Sequence, residues 1–222
     1  MNTKQIAGEK AAEFVKDGMI VGLGTGSTVY YTILKLGERV KEGLKITAVS
    51  TSTSTTKLAE KIGINIVPLN EVNYIDLTID GADEVDASLN GIKGGGGALL
   101  FEKLVAVASK KTIWVVDESK IVSTLGKFPL PIEVVPFGYH HVFNKLKNLG
   151  YNPAIRKDND NQYYMTDGHH YIIDLFMESI DNPNELEKTI LWIPGVVETG
   201  LFLNIADTII VGKENSVEVI NK

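Results

Sequence analysis

The sequence predicts an α/β protein: a mostly parallel sheet with helices on both faces, plus a smaller inserted α+β domain. Two observations predict it. Up to about residue 127, short Val- and Ile-rich runs that are apolar throughout alternate with helix-patterned stretches, as in a sheet covered on both sides. After Lys127 the stiff turn Phe128-Pro129-Leu130-Pro131 breaks that rhythm. The pattern beyond it fits helices on one face of an antiparallel sheet.

Taken in order, residues 3–16 place Ala7, Ala11, Phe14 and Val15 on one helical face, and Gly18 stops the helix. Met19 to Leu23 reads as a buried strand, followed by the loop Gly24-Thr25-Gly26-Ser27-Thr28. A helix beginning near Ser27, a good N-cap, turns Tyr30, Ile33 and Leu34 inward. Strands at 45–50, 64–69, 74–80 and 112–117 alternate with helices at 53–62 and 97–109. Then come a strand at 131–136, a helix at 138–148, strands near 152–157, 162–166 and 170–176, and a helix opened by Pro183. The tail Ala206 to Gly212 is again a core strand. Residues 1–127 with 205–222 therefore form the α/β domain. Residues 128–204 form the insertion, for which an oligomerisation role is expected.

Composition narrows the function. A chain of 222 residues with 44% hydrophobic and 23% charged residues can bury a substantial core. Its net charge of −6 argues against a nucleic-acid groove. No apolar stretch approaches the ~20 residues needed to cross a bilayer, so no membrane partner is expected. Met1 to Lys10 is polar and amphipathic, unlike a secretory signal. With no cysteine, thiolate nucleophiles and zinc-thiolate sites are excluded, and a cytoplasmic location is the expectation.

The loop at 22–28 admits several readings. Ser27 stands where a dinucleotide fingerprint needs its third glycine. A methyltransferase loop would accept Gly22, Gly24 and Gly26, but the next strand ends Val49-Ser50-Thr51-Ser52-Thr53, with no acid to grip a ribose. A loop with hydroxyls opening a helix suits a single phosphate; the bland alternative is a turn capped by Ser27. A second cluster begins at the end of the 74–80 strand with Asp80-Gly81-Ala82-Asp83. Asp-Gly is a favoured turn dipeptide, yet Glu84 and Asp86 would crowd four acids into one loop, with Lys93 the nearest cation. The spacing lacks the alternating pattern of a calcium loop, so no metal is expected. Lys93-Gly94-Gly95-Gly96-Gly97 gives a ligand close access to backbone. Glu102 sits away from a helical face formed by Leu100, Leu104 and Ala108, and Lys120 follows another strand. The paired histidines, His140-His141 and His169-His170, read as surface or small-domain residues, as neighbours point in different directions.

Taken together these segments resemble the type A ribose-5-phosphate isomerases. The shared motifs are Thr25-Gly26-Ser27-Thr28, Asp80-Gly81-Ala82-Asp83, Lys93-Gly94-Gly95-Gly96, Glu102-Lys103 and Gly195 to Phe202, and the likeness runs from residue 4 to about 212. The resemblance implies interconversion of D-ribose 5-phosphate and D-ribulose 5-phosphate in the pentose phosphate pathway, without cofactor, by a homodimer or homotetramer. It implies Glu102 as the proton acceptor; on chemical grounds Asp80, placed to assist ring opening, and Lys93, a stabiliser of developing negative charge, are the further catalytic candidates. It also implies Thr25, Gly26, Ser27, Thr28, Asp80, Gly81, Ala82, Asp83, Lys93, Gly94, Gly95, Gly96 and Lys120 as the substrate-binding set. The family also has an N-terminal lysine that helps hold phosphate, but too few anchoring residues surround Lys4 to assign it that place. Phe101 departs from the arginine common in the family, and Thr166-Asp167-Gly168-His169-His170 from its usual Thr-Asp-Asn-Gly-Asn. The alternative from another class is a non-catalytic sugar-phosphate sensor; Asp80, Lys93 and Glu102 together favour chemistry.

Overall fold

The computed structural model describes residues 2–222, in two compact units. The first comprises the chain up to Ala82, Phe101–Ile121 and Asn204–Lys222; the second comprises Asp83–Leu100 and Val122–Leu203. In chain order the elements are α1 (Thr3–Ala12), β1 (Ile20–Leu23), α2 (Val29–Lys41), β2 (Thr47–Ser50), α3 (Thr53–Lys61), β3 (Asn65–Ile66), β4 (Leu77–Asp80), β5 (Glu84–Val85), β6 (Gly91–Ile92) and α4 (Leu99–Val107). They continue as β7 (Thr112–Asp117), β8 (Leu130–Val134), α5 (Tyr139–Asn148), β9 (Pro153–Ile155), β10 (Tyr171–Leu175), α6 (Pro183–Leu191), β11 (Val196–Thr199), β12 (Leu201–Phe202), β13 (Thr208–Gly212) and β14 (Val217–Asn221).

The first unit is built on one sheet of order β14-β13-β7-β4-β1-β2-β3. Its neighbours pair in parallel, apart from β14, an antiparallel edge strand that periodicity did not reveal. Successive strand residues face opposite ways, which sorts the core. Val21, Leu23, Ala48, Leu77 and Ile79 pack with Ala7 and Ala11 of α1 and Ile33 and Leu36 of α2. Ile20, Val49 and Ile75 pack with Val105 of α4. Helix α1 ends at Ala12, earlier than periodicity suggested, so Phe14 is exposed rather than inward. Tyr30 also points outward, while Ile33 is buried as expected.

The second unit contains an antiparallel sheet of order β11-β8-β10-β9 and a small antiparallel sheet of order β12-β6-β5. Leu130, Ile132, Val134, Ile173 and Leu175 meet Val142 and Leu146 of α5 and Leu186 and Ile190 of α6. Residues 162–166, expected as a strand, form none beyond one bridge from Tyr163 to Lys157. Asp158 explains it: its carboxylate accepts the amides of Asp160 and Gln162, folding the segment into a turn. Residues 128–203 lie in the second unit, Asn204 lies in the first, and the second also takes in Asp83–Leu100 and 122–127, which the sequence reading assigns to the α/β domain.

Candidate active site

In the first unit, β1 and β4 run side by side and deliver a loop and a carboxylate at their C-terminal ends, where open parallel sheets bind ligands. Gly24 lets them close up: a Cβ there would overlap the carboxylate of Asp80. Asp80 is 1% exposed, and its Oδ1 accepts the amides of Thr25 at 3.1 Å and Gly81 at 2.7 Å. Beyond Thr25, the amides of Gly26, Ser27 and Thr28 have no protein partner among the described residues. Thr28 is the N-cap of α2, with no side-chain cap bond. Ser27, expected as the cap, instead accepts a hydrogen bond from Lys4 Nζ at 2.9 Å. Open amides, the positive end of a helix and a lysine form a setting for an anion. A cavity of about 570 Å³ is lined here by Thr25, Gly26, Ser27, Tyr30, Tyr31 and Ser54, among others.

Glu102 lies in the first turn of α4 and is 4% exposed. This corrects the expected helical face. The buried stripe is Leu99, Glu102, Val105 and Ala106, whereas Leu104 is 46% exposed. Apolar spacing cannot reveal a stripe that a carboxylate interrupts. Lys120 closes the short 3₁₀ turn Glu118–Lys120 after β7 and is partly exposed; Asp117 caps that turn through the amide of Ser119. Gly81 and Ala82, which follow Asp80, are partly exposed.

In the second unit, Lys93 follows β6 and is 2% exposed. Its amide donates to Gly200 O at 2.9 Å, and its ammonium stands 5.2 Å from the centre of the Phe202 ring. The glycine loop after it is tied down from one side. Arg156 Nη1 donates to Gly94 O at 2.7 Å and Gly95 O at 3.2 Å, and the Tyr164 hydroxyl donates to Gly96 O at 3.1 Å. Asp174 fixes the guanidinium through Nε at 2.9 Å and Nη2 at 2.5 Å. Burial pushes the Tyr164 phenol above its ordinary value, so the hydroxyl remains a donor at neutral pH. Asp83 Oδ2 accepts the amide of Gly95 at 2.8 Å. The amides of Gly94 and Gly96 have no protein partner among the described residues. Gly97, at φ +77°, packs where any Cβ would overlap the ring of Tyr164.

The expected crowd of acids resolves into separate duties. Glu84 is buried and accepts the amides of Gly126 at 2.7 Å and Phe128 at 2.6 Å, and Asp86 accepts those of Ser88 and Asn90 in its own turn. His140, His141 and His169 are exposed, whereas His170 Nδ1 lies 3.0 Å from Glu133 Oε1. Among the described residues, no three His, Cys, Asp or Glu side chains cluster as metal ligands would. Sequence reasoning missed Arg156, Asp174 and Tyr164. No motif marks them, and they lie some sixty residues or more from the loop they hold.

A sequence model described as ribose 5-phosphate isomerase A (phosphoriboisomerase A) matches residues 47–216. The chain is 53% identical to ribose-5-phosphate isomerase A of Listeria innocua, over 100% of both chains. It is 41% identical to the solved ribose 5-phosphate isomerase A of Methanocaldococcus jannaschii, with a TM-score of 0.94 over 99% of this chain and 98% of that one. A solved D-ribose-5-phosphate isomerase in complex with phospho-erythronic acid is 40% identical, with a TM-score of 0.96 over 100% of both chains.

Proposed function

This chain belongs to the ribose 5-phosphate isomerase A family, and from that premise we propose how its residues interconvert D-ribose 5-phosphate and D-ribulose 5-phosphate. The enzyme is an aldose–ketose isomerase of the pentose phosphate pathway, and the sensor alternative is not favoured. The observation that carries the reading is the loop whose Gly26, Ser27 and Thr28 amides are open beside Lys4. Here the 5-phosphate binds, which positions the reacting carbons at the other end of the sugar. Gly81, Ala82 and Lys120 complete the substrate contacts.

Asp80 exchanges a proton with the ring oxygen and the anomeric hydroxyl to open the ring. The Glu102 carboxylate then takes the proton from C2 of the aldose. The electron pair moves onto the C1 oxygen to give an enediolate, and a proton passes from O2 to O1. Glu102 returns its proton to C1, which completes the ketose. A positioned base of this kind contributes ~10²–10⁴-fold. Lys93, with the amides of Gly94 and Gly96, stabilises the enediolate oxygen, and Asp83 holds that loop through Gly95. The similar protein bound to phospho-erythronic acid supports this scheme. That ligand is a phosphorylated sugar acid, and its planar carboxylate resembles an enediolate in charge and shape.

No metal or cofactor enters the scheme. We further propose a cytoplasmic homodimer or homotetramer assembled through residues 128–204, with no nucleic-acid or membrane partner. Phe137, 95% exposed, and Trp192, 85% exposed, support the oligomeric part. Among the described residues, no helix is long and apolar enough to cross a membrane. A coupled assay for ketopentose phosphate formed from ribose 5-phosphate, with and without chelator, tests the reading. Turnover insensitive to chelator is expected; no turnover would sink the assignment, and loss on chelation would sink the metal-free scheme.

A further inference from the structure

Thr25 is engaged differently from the three residues that follow it. Its Oγ1 lies 2.8 Å from Thr51 Oγ1, 2.8 Å from Ser52 Oγ and 3.2 Å from Thr55 Oγ1. All three belong to the unbroken hydroxyl run Ser50 to Thr56. Each hydroxyl has one proton and two acceptor sites, and this orders the network. Thr55 directs its proton to Gly24 O at 2.9 Å. Ser52 Oγ accepts from the Thr55 amide at 3.2 Å and from Thr25 Oγ1, so its own proton goes to Ser54 Oγ at 2.9 Å. Since the Thr25 proton points at Ser52, the close contact with Thr51 is a bond donated by Thr51. The Thr25 amide is committed as well, to Asp80 Oδ1 at 3.1 Å. Neither donor of Thr25 is left for a ligand.

We infer that Thr25 is a positioning residue rather than a phosphate ligand, and that Thr51, through Thr25, and Thr55, through the Gly24 carbonyl, set the open amides of residues 26–28. The inference rests on the proposal that those amides hold the 5-phosphate. Thr51 is fully buried and Thr55 nearly so. A satisfied buried network of this kind specifies one arrangement, and loss of one member lets the loop drift from the geometry that grips the anion.

Thr51→Val keeps the shape and removes the hydroxyl, and Thr51→Ser restores it. In Thr51→Val, the KM for ribose 5-phosphate and the inhibition constant for inorganic phosphate should each rise about three- to tenfold, the worth of one hydrogen bond. The kcat should stay within about twofold, Thr51→Ser should recover both constants, and Thr55→Val supplies the same reading if Thr51→Val fails to fold. If both valine variants leave the constants unchanged while Ser27→Ala raises them, the inference is overturned and the phosphate site stands. If Ser27→Ala leaves them unchanged as well, the phosphate site is misassigned and the inference falls with it. A fall in kcat and melting temperature with unchanged phosphate inhibition would mark Thr51 as merely structural, which also overturns the inference.

Discussion

The loop at residues 24–28 and the loop at 93–97 both present bare backbone amides, but they are held by different chemistry. The first is gripped by neutral hydroxyls from the following strand–helix connection, together with the carboxylate of Asp80. The second is gripped through its carbonyls by Arg156 and Tyr164, with Asp174 locking the guanidinium. Losing one hydroxyl from the first removes a bond of modest net worth. Losing the arginine from the second strands a largely buried carboxylate and releases two carbonyls at once. The same need, a fixed backbone donor, is thus met once by many weak neutral bonds and once chiefly by an ion-paired arginine, with Tyr164 and Asp83 beside it.

That contrast predicts unequal responses. The largest is Arg156→Met, which leaves Asp174 without its counter-ion and should lower stability by about 3–5 kcal/mol in urea unfolding. Replacing Asp174 with leucine in the same variant should recover much of that stability but not the turnover, because the carbonyls of Gly94 and Gly95 stay unheld. Recovery of both would show that the arginine matters only for folding. Next comes Lys93→Met, which should cost on the order of 10²–10³ in kcat with little change in phosphate inhibition. A rise in the phosphate inhibition constant with preserved kcat would instead assign Lys93 to the anion end.

The smallest effect sharpens the comparison from outside both loops. Asp76 accepts Lys110 Nζ at 2.8 Å and the amide of Ile20 at 3.0 Å. The Lys110 bond, followed by that from Ile20, holds its carboxyl below the usual range. A depressed folded pKa gives stability that is present above the unfolded value of about 4 and is lost as pH falls through the folded one. Asp76→Asn should lower the melting temperature slightly at neutral pH, and the gap should close on acidification below about pH 4. The kcat should not move. A gap that persists at low pH would show that the carboxylate charge is not what stabilises the wild type.

Much of the fold was legible because its physics is local. Runs such as Ile113-Trp114-Val115-Val116 and Ile209-Ile210-Val211 are apolar at every position, as a sheet covered on both faces requires. Strands of two residues, such as β5, β6 and β12, carry too little pattern to be seen. The edge strand β14, with Glu218 and Asn221 facing water, lacks the apolar run that marks its neighbours. The motifs of the site were visible as words, but their duties were not. Glu102 reads as lying away from the apolar face because it breaks the stripe it belongs to, and Glu84 reads as one more acid in a crowded loop because the amides it holds lie more than forty residues away. Arg156 offered no signal, since only the folded chain sets it against Gly94.

Whether the buried carboxylate of α4 moves the substrate proton is best decided by Glu102→Gln, assayed for turnover and for ligand binding side by side. The scheme predicts that the variant binds ribose 5-phosphate nearly as the wild type does, while isomerisation falls by ~10²–10⁴-fold and exchange of the C2 hydrogen with solvent falls with it. Near-normal turnover in that variant, with exchange intact, would contradict the scheme and require a different base.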